Sequence, residues 1–244
     1  MTAGPPPTPR WLIVNADDLG QSDGVNEGIV TAVEHGIVTS ASLMVRWAAA
    51  TDAAAWARGR DDVGVGLHLD LGEWIVRDGT WEPLYEVVDA DDAAAVVTEL
   101  DRQLRRFEQL MGRPPTHIDS HQHMHLREPV RSSVLAAASR FGIPVRSLTE
   151  ARYCGDFYGQ WGGGEPHPEC ITFDALVAII DGLAPGVTEL ACHPGADAIE
   201  DLDSMYLAER ALERRVLCDA RLPDALAARG VGLRSFARGP AEER

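Results

Sequence analysis

The sequence predicts an α/β fold with a parallel sheet, on three observations. Short apolar runs alternate with stretches of helical periodicity along most of the chain, and such alternation marks βαβ units. The runs are continuously apolar rather than apolar at every second residue, as strands covered on both faces must be. Several of them end in carboxylates or imidazoles. In parallel α/β architectures the carboxyl ends of the strands converge on one rim, so these groups are expected to meet.

The elements follow in order. Residues 1–10 read as a disordered leader, because four prolines in the first nine positions leave no room for a regular element. Trp11-Leu12-Ile13-Val14 is the first apolar run, and it stops at Asn15-Ala16-Asp17-Asp18-Leu19-Gly20. Val25, Ile29 and Val33 at helical spacing, closed by Gly36, predict a helix over residues 24–36. Residues 37–45 form a second strand and the Ala-rich residues 47–58 a helix. Val63 to Leu71 is a further apolar strand that carries His68 near its end. Residues 72–91, with Trp74, Trp81 and Tyr85 among polar neighbours, read as an irregular loop whose aromatic faces can pack on a sugar ring. Val96, Leu100, Leu104 and Phe107 line one side of a helix over 92–111, ended by Gly112.

The second half continues the pattern. Helices are expected over 128–141, 173–183, 204–217 and 223–229, with a short extended piece over 143–146. Residues 151–172 have no clear period and read as a long loop near the site. Gly186 to Gly195 is a strand followed by a turn bearing His193, and residues 231–236 form a closing strand. With no repeat, linker or low-complexity break, residues 11–244 read as one catalytic domain.

Composition narrows the function classes. Lys and Arg total 22 against 38 Asp and Glu, a net charge of −16. Such a surface repels phosphate backbones and anionic lipid, which argues against nucleic acid or membrane partners. The four cysteines are widely spaced without a C-x-x-C pair, which speaks against a disulfide framework or a thiolate zinc site. The N-terminus has no apolar segment before a cleavage site and no run reaches membrane-spanning length. A cytoplasmic enzyme is the expectation, with a homodimer as its default assembly.

Half of the eight histidines lie between Thr116 and His125. His117, Asp119, His121, His123 and His125 occupy every second position there. An extended chain puts them on one face; a helix still aligns His121 with His125. Imidazoles gathered with a carboxylate most often bind a divalent metal. The adjacent Asp17 and Asp18 repel each other unless a cation or a shared proton compensates. Metal-assisted hydrolysis uses such a set: the ion activates water and polarises a carbonyl. Of two adjacent carboxylates one can then be a ligand and the other a base, while a further imidazole protonates the leaving nitrogen.

Asn15-Ala16-Asp17-Asp18-Leu19-Gly20, Gly66-Leu67-His68-Leu69, Thr116 to His125 and Cys192-His193-Pro194-Gly195, in that order, resemble the YdjC-like carbohydrate deacetylases, which include chitooligosaccharide and hopanoid-associated deacetylases. The resemblance runs from about residue 11 to about residue 236. Leu19 stands where phenylalanine is more usual, and Gln122 and Met124 vary the middle of the histidine motif; these bear on pocket shape. The resemblance implies an irregular (β/α) barrel of the glycoside hydrolase/deacetylase type, short of eight full units. It implies metal ligation by Asp18, His68 and His121, with Asp17 as general base and His193 as general acid. His125, His123 and Arg146 are then expected to contact substrate or to support the ligands, and His117 to be structural. Magnesium is the ion the resemblance implies, although an Asp-His-His set suits zinc as well. The implied reaction removes the acetyl group from a small N-acetylated sugar. A metal-dependent amidase or esterase on a lipid- or nucleotide-linked substrate, or a sugar-binding protein without catalysis, are the rival readings.

Overall fold

The computed structural model of the protein describes residues 8–160 and 165–237. Its elements are β1 (Arg10–Leu19), α1 (Asp23–His35), β2 (Ser40–Leu43), α2 (Ala50–Ala57), β3 (Gly64–Leu69), β4 (Gly72–Arg77), β5 (Thr80–Glu86), α3 (Ala93–Met111), β6 (Ile118–Ser120), α4 (Val130–Phe141), β7 (Arg152–Cys154), α5 (Phe173–Asp181), β8 (Gly186–Cys192), α6 (Ala208–Leu217), α7 (Leu222–Ala228) and β9 (Val231–Leu233). Most of the leader lies outside the described residues, and its last residue, Arg10, already opens β1.

The main sheet runs β6-β3-β2-β1-β8-β7, with β9 beside the start of β1, and its ladders are parallel. Val145 extends it by one parallel bridge to Ile118. The sheet curls, because Arg146 at that edge reaches across the interior to Asp17 on β1 and Glu189 on β8, both at under 3 Å. Among the described residues no ladder joins the Val145 bridge to β7, so the expected irregular (β/α) barrel is present and open on that side. Val14, Leu19, Leu43, Leu67 and Leu69 are buried in its core. At roughly 1.5–3 kcal/mol per large apolar side chain, such residues dominate the stability of the frame.

Helix α3 shows how local sequence sets an element. The Asp92 side chain accepts from Ala94 N at 2.9 Å and Ala95 N at 3.1 Å, capping the start. Gly112 adopts φ 69° and ends the helix. Val96, Leu100, Leu104 and Phe107 fall on the buried stripe between these stops.

Three expectations need correction. Residues 72–91 contain the antiparallel hairpin β4–β5; Asp78-Gly79 at its tip, both at positive φ, is the Asp-Gly turn that hairpins favour. The region 151–172 includes β7, paired parallel with β8. The histidine stretch is neither one strand nor one helix: β6 ends at Ser120 and a 3₁₀ turn covers His121–Leu126, with Gln122 and His123 at φ 47° and 55°. No helix among the described residues is long and apolar enough to cross a membrane.

Candidate metal centre

β1 continues through Leu19 instead of stopping at Val14, because its polar end finds buried partners. A strand normally turns successive side chains to opposite faces. Here the register with β2 shifts between Ala16 and Leu19, and Asp18 takes φ 68°. This bulge lets consecutive carboxylates work in one interior, and Asp17 and Asp18 are 3% and 1% exposed.

Asp18 joins two imidazoles. Its Oδ1 lies 3.3 Å from His68 Nε2 and 3.2 Å from His121 Nδ1, and all three donor atoms lie within 4.8 Å of one another. A carboxylate with two imidazoles can hold a divalent ion and leave positions open. Electrostatics fits that use. Burial raises the Asp18 carboxyl, but Arg210 and the two imidazoles hold it well below the usual range. Burial lowers His68, yet the Asp119 carboxylate outweighs it and raises the imidazole to about 10. His121 is likewise lowered by burial and raised by Asp18 and Glu73, to about 9. The carboxylates around these rings call for positive charge.

His68 and Asp119 are Cα partners across the β3–β6 ladder. Asp119 Oδ1 lies 2.8 Å from His68 Nδ1, so the ring presents Nε2 toward Asp18. Asp17, His68 and Asp119 form a second set of donors, but a guanidinium takes the space between their carboxylates. Arg146 donates to Asp17 Oδ2 at 2.6 Å and Oδ1 at 2.7 Å. It also pairs with Asp119 at 2.8 Å and with Glu189 at 2.7 Å. Burial raises Asp17, and Arg146 more than reverses this, leaving it lowered. Glu189 keeps the opposite balance: burial outweighs Arg146 and pushes it up to about 7.

The structure therefore divides the expected supporting residues. Arg146 is buried and does not line the cavity; its guanidinium holds Asp17. His125 is buried too, with Nδ1 2.7 Å from Ser120 Oγ and Nε2 3.2 Å from the Arg146 carbonyl; it also supports rather than faces the cavity. His123 does line the cavity and lies 3.0 Å from the Tyr153 hydroxyl. His117 stacks on Phe236 at 4.0 Å and meets Ser42 Oγ at 3.0 Å, a packing role.

His193 follows β8, whose Cys192 pairs with Ala16, so it emerges beside Asp17. Its Nε2 lies 3.8 Å from Asp17 Oδ2 and its Nδ1 3.7 Å from Glu213 Oε1. Its backbone N–H donates to Glu213 Oε2 at 2.7 Å, and Tyr158 and Tyr206 present ring edges to the imidazole. The following turn packs directly on α1: a Cβ on Gly28 would stand 2.1 Å from Gly195 Cα, so only glycine permits this approach.

Asp17, Asp18, His68, His121 and His193 share one cavity of about 160 Å³, with Trp81 and Tyr158 on its outer wall. Three of its functional neighbours were not singled out from sequence. Arg210 donates to Asp18 Oδ2 at 2.6 Å, Glu213 braces His193, and Glu73 sits behind His121. Arg210 and Glu213 are charged residues on the buried side of α6; their spacing alone looks like an ordinary solvated face. Glu73 was hidden by reading its hairpin as irregular, and the Asp-Gly turn was the available signal.

The sequence matches the family of YdjC-like proteins over residues 11–228. The chain belongs to that family. It is 35% identical to a carbohydrate deacetylase of Geobacillus stearothermophilus, covering 93% of this chain and 97% of that one. It is 34% identical to a chitooligosaccharide deacetylase of Serratia marcescens, covering 93% and 98%. A solved structure from Enterococcus faecalis V583, described as a candidate cellobiose-phosphate cleavage protein, superposes with a TM-score of 0.74 at 24% identity, covering 94% and 98%. That likeness shows a shared fold across nearly the whole chain.

Proposed function

We propose that the chain is a metal-dependent hydrolase that removes the N-acetyl group from an acetylated amino sugar or oligosaccharide and releases acetate. The relatives' activities support the substrate class. The observation that carries the reading is the pairing of an Asp-His-His set with a second carboxylate, Asp17, that lies outside it and is held by Arg146.

Asp18, His68 and His121 would hold the ion, which supplies water activation and carbonyl polarisation. Magnesium follows from the family resemblance, and zinc suits the same donors. Asp17 takes the proton of the water that attacks the acetyl carbon. Arg146 keeps Asp17 ionised before that step and leaves it beside His193. His193 gives a proton to the sugar nitrogen as the C–N bond breaks, so that acetate and a free amine leave. Glu213 and the two tyrosines hold the His193 ring in place for this transfer. Residues 11–244 act as one catalytic domain in the cytoplasm, as a homodimer.

The test is acetate release from N-acetylglucosamine and its short oligomers, with Mg²⁺ or Zn²⁺ supplied. Release that chelator abolishes and metal restores is expected. Silence across that panel, with hydrolysis of a lipid- or nucleotide-linked amide, would move the substrate class and leave the metal chemistry standing.

A further inference from the structure

We infer that Glu73 is a positioning residue for His121: its carboxylate accepts the Nε2 proton of the imidazole and turns Nδ1 toward Asp18. The inference rests on the reading of Asp18, His68 and His121 as the ligand set.

Glu73 lies on β4, directly after β3. Gly72, the first residue of β4, has φ 148°, and a Cβ there would stand 2.8 Å from the Tyr85 carbonyl oxygen. That residue lets the chain fold back so closely that Glu73 is 4% exposed and borders the cavity. Its Oε2 lies 3.6 Å from His121 Nε2. Both atoms are buried and neither has a hydrogen-bond partner. Two unsatisfied groups of opposite kind, facing each other and slightly too far apart, are each other's natural partners.

The other ring nitrogen, Nδ1, lies 3.2 Å from Asp18 Oδ1. A neutral imidazole has one N–H and one lone pair, so an acceptor at Nε2 leaves the lone pair on Nδ1. His68 has the mirrored arrangement, with Nδ1 at Asp119 and Nε2 at Asp18. The two rings thus present opposite nitrogens to the same point, each fixed by a carboxylate behind it. The hairpin is fastened here a second time, since Gln122 accepts from Trp74 N at 2.9 Å and donates to Trp74 O at 2.7 Å. The segment that carries Trp81 over the cavity is therefore tied to Gln122, the residue next to His121.

The experiment measures Zn²⁺ affinity by chelator competition for wild type, Glu73→Ala, Glu73→Gln and His68→Ala. Glu73→Ala is expected to weaken binding roughly 10–100-fold, the usual effect of removing such a partner. Glu73→Gln, whose amide oxygen still accepts from Nε2, is expected to recover much of that loss. Nitrogen NMR of the Zn²⁺-loaded wild type should find the His121 proton on Nε2. Unchanged affinity in Glu73→Ala, or the proton on Nδ1, overturns the inference while loss of binding in His68→Ala leaves the ligand set standing. Loss beyond about 1,000-fold in Glu73→Ala, with a changed Co²⁺ absorption spectrum, would make Glu73 a ligand and also overturn it. If His68→Ala binds Zn²⁺ as wild type does, the ligand set fails and the inference falls with it.

Discussion

The floor and the rim of the cavity are built differently. The floor comes from the ends of strands β1, β3 and β6 in one parallel sheet and from the turn after β6. Its charged groups are almost wholly enclosed and interlocked: Asp18 with His68, His121 and Arg210, and Asp17 with Arg146. The rim comes from the hairpin β4–β5 and the segment around Tyr158, and Trp81 there is 49% exposed. A pair such as His68 and Asp119 is fixed by the ladder itself, whereas Trp81 depends on how a hairpin leans. Floor residues should accordingly set the rate, and rim residues the affinity for substrate.

Asp17→Asn tests the floor most severely. It should lower turnover roughly 10²–10⁴-fold, the range for loss of a general base, while metal content measured by elemental analysis stays near one ion per chain. A turnover near that of wild type would remove Asp17 from the proposed role.

Arg146→Met should act mainly on stability. It leaves Asp17, Asp119 and Glu189 without their shared cation, and breaking a buried pair costs roughly 3–5 kcal/mol. Denaturant unfolding would measure the loss, and a change below about 1 kcal/mol would show that the floor does not depend on this pairing.

Trp81→Ala tests the rim. If the indole packs on a sugar face, KM should rise about 3–10-fold with kcat nearly constant, the equivalent of roughly 0.5–1.5 kcal/mol for an aromatic contact. An equal fall in kcat would blur the distinction between floor and rim.

A pH-dependent test concerns Glu189. Its carboxyl is raised to about 7 from an ordinary 4.5, so the folded state holds a proton that the unfolded state releases earlier. Its contribution is greatest below about 4.5 and is lost as pH rises through about 7. Relative to Glu189→Gln, wild-type stability should fall across that window and run parallel above it. Denaturant midpoints at a series of pH values would show it.

Much of the floor was legible in the sequence for a chemical reason. Carboxylates and imidazoles at the ends of apolar runs are costly in a core unless they meet one another or a cation. The alternation of runs and helices indicated that they would meet, and Asp17, Asp18, His68, His121 and His193 do line one cavity. The histidine motif misled only in geometry. Its alternation suggested one shared face, but the positive φ angles of Gln122 and His123 send His121 to Asp18, His123 to Tyr153 and His125 under Arg146.

The sequence by itself determined which chemical groups the site would contain and that a parallel frame would deliver them, because strand ends and donor types are local properties. Only the tertiary structure decided which cation neutralises which carboxylate. Arg146 meets Asp17 across 129 residues and Arg210 meets Asp18 across 192, and no local pattern encodes a pairing made by the closing of a sheet. The same holds for the hairpin that carries Glu73 behind His121, since burial of that carboxylate exists only once β4 folds back over the cavity.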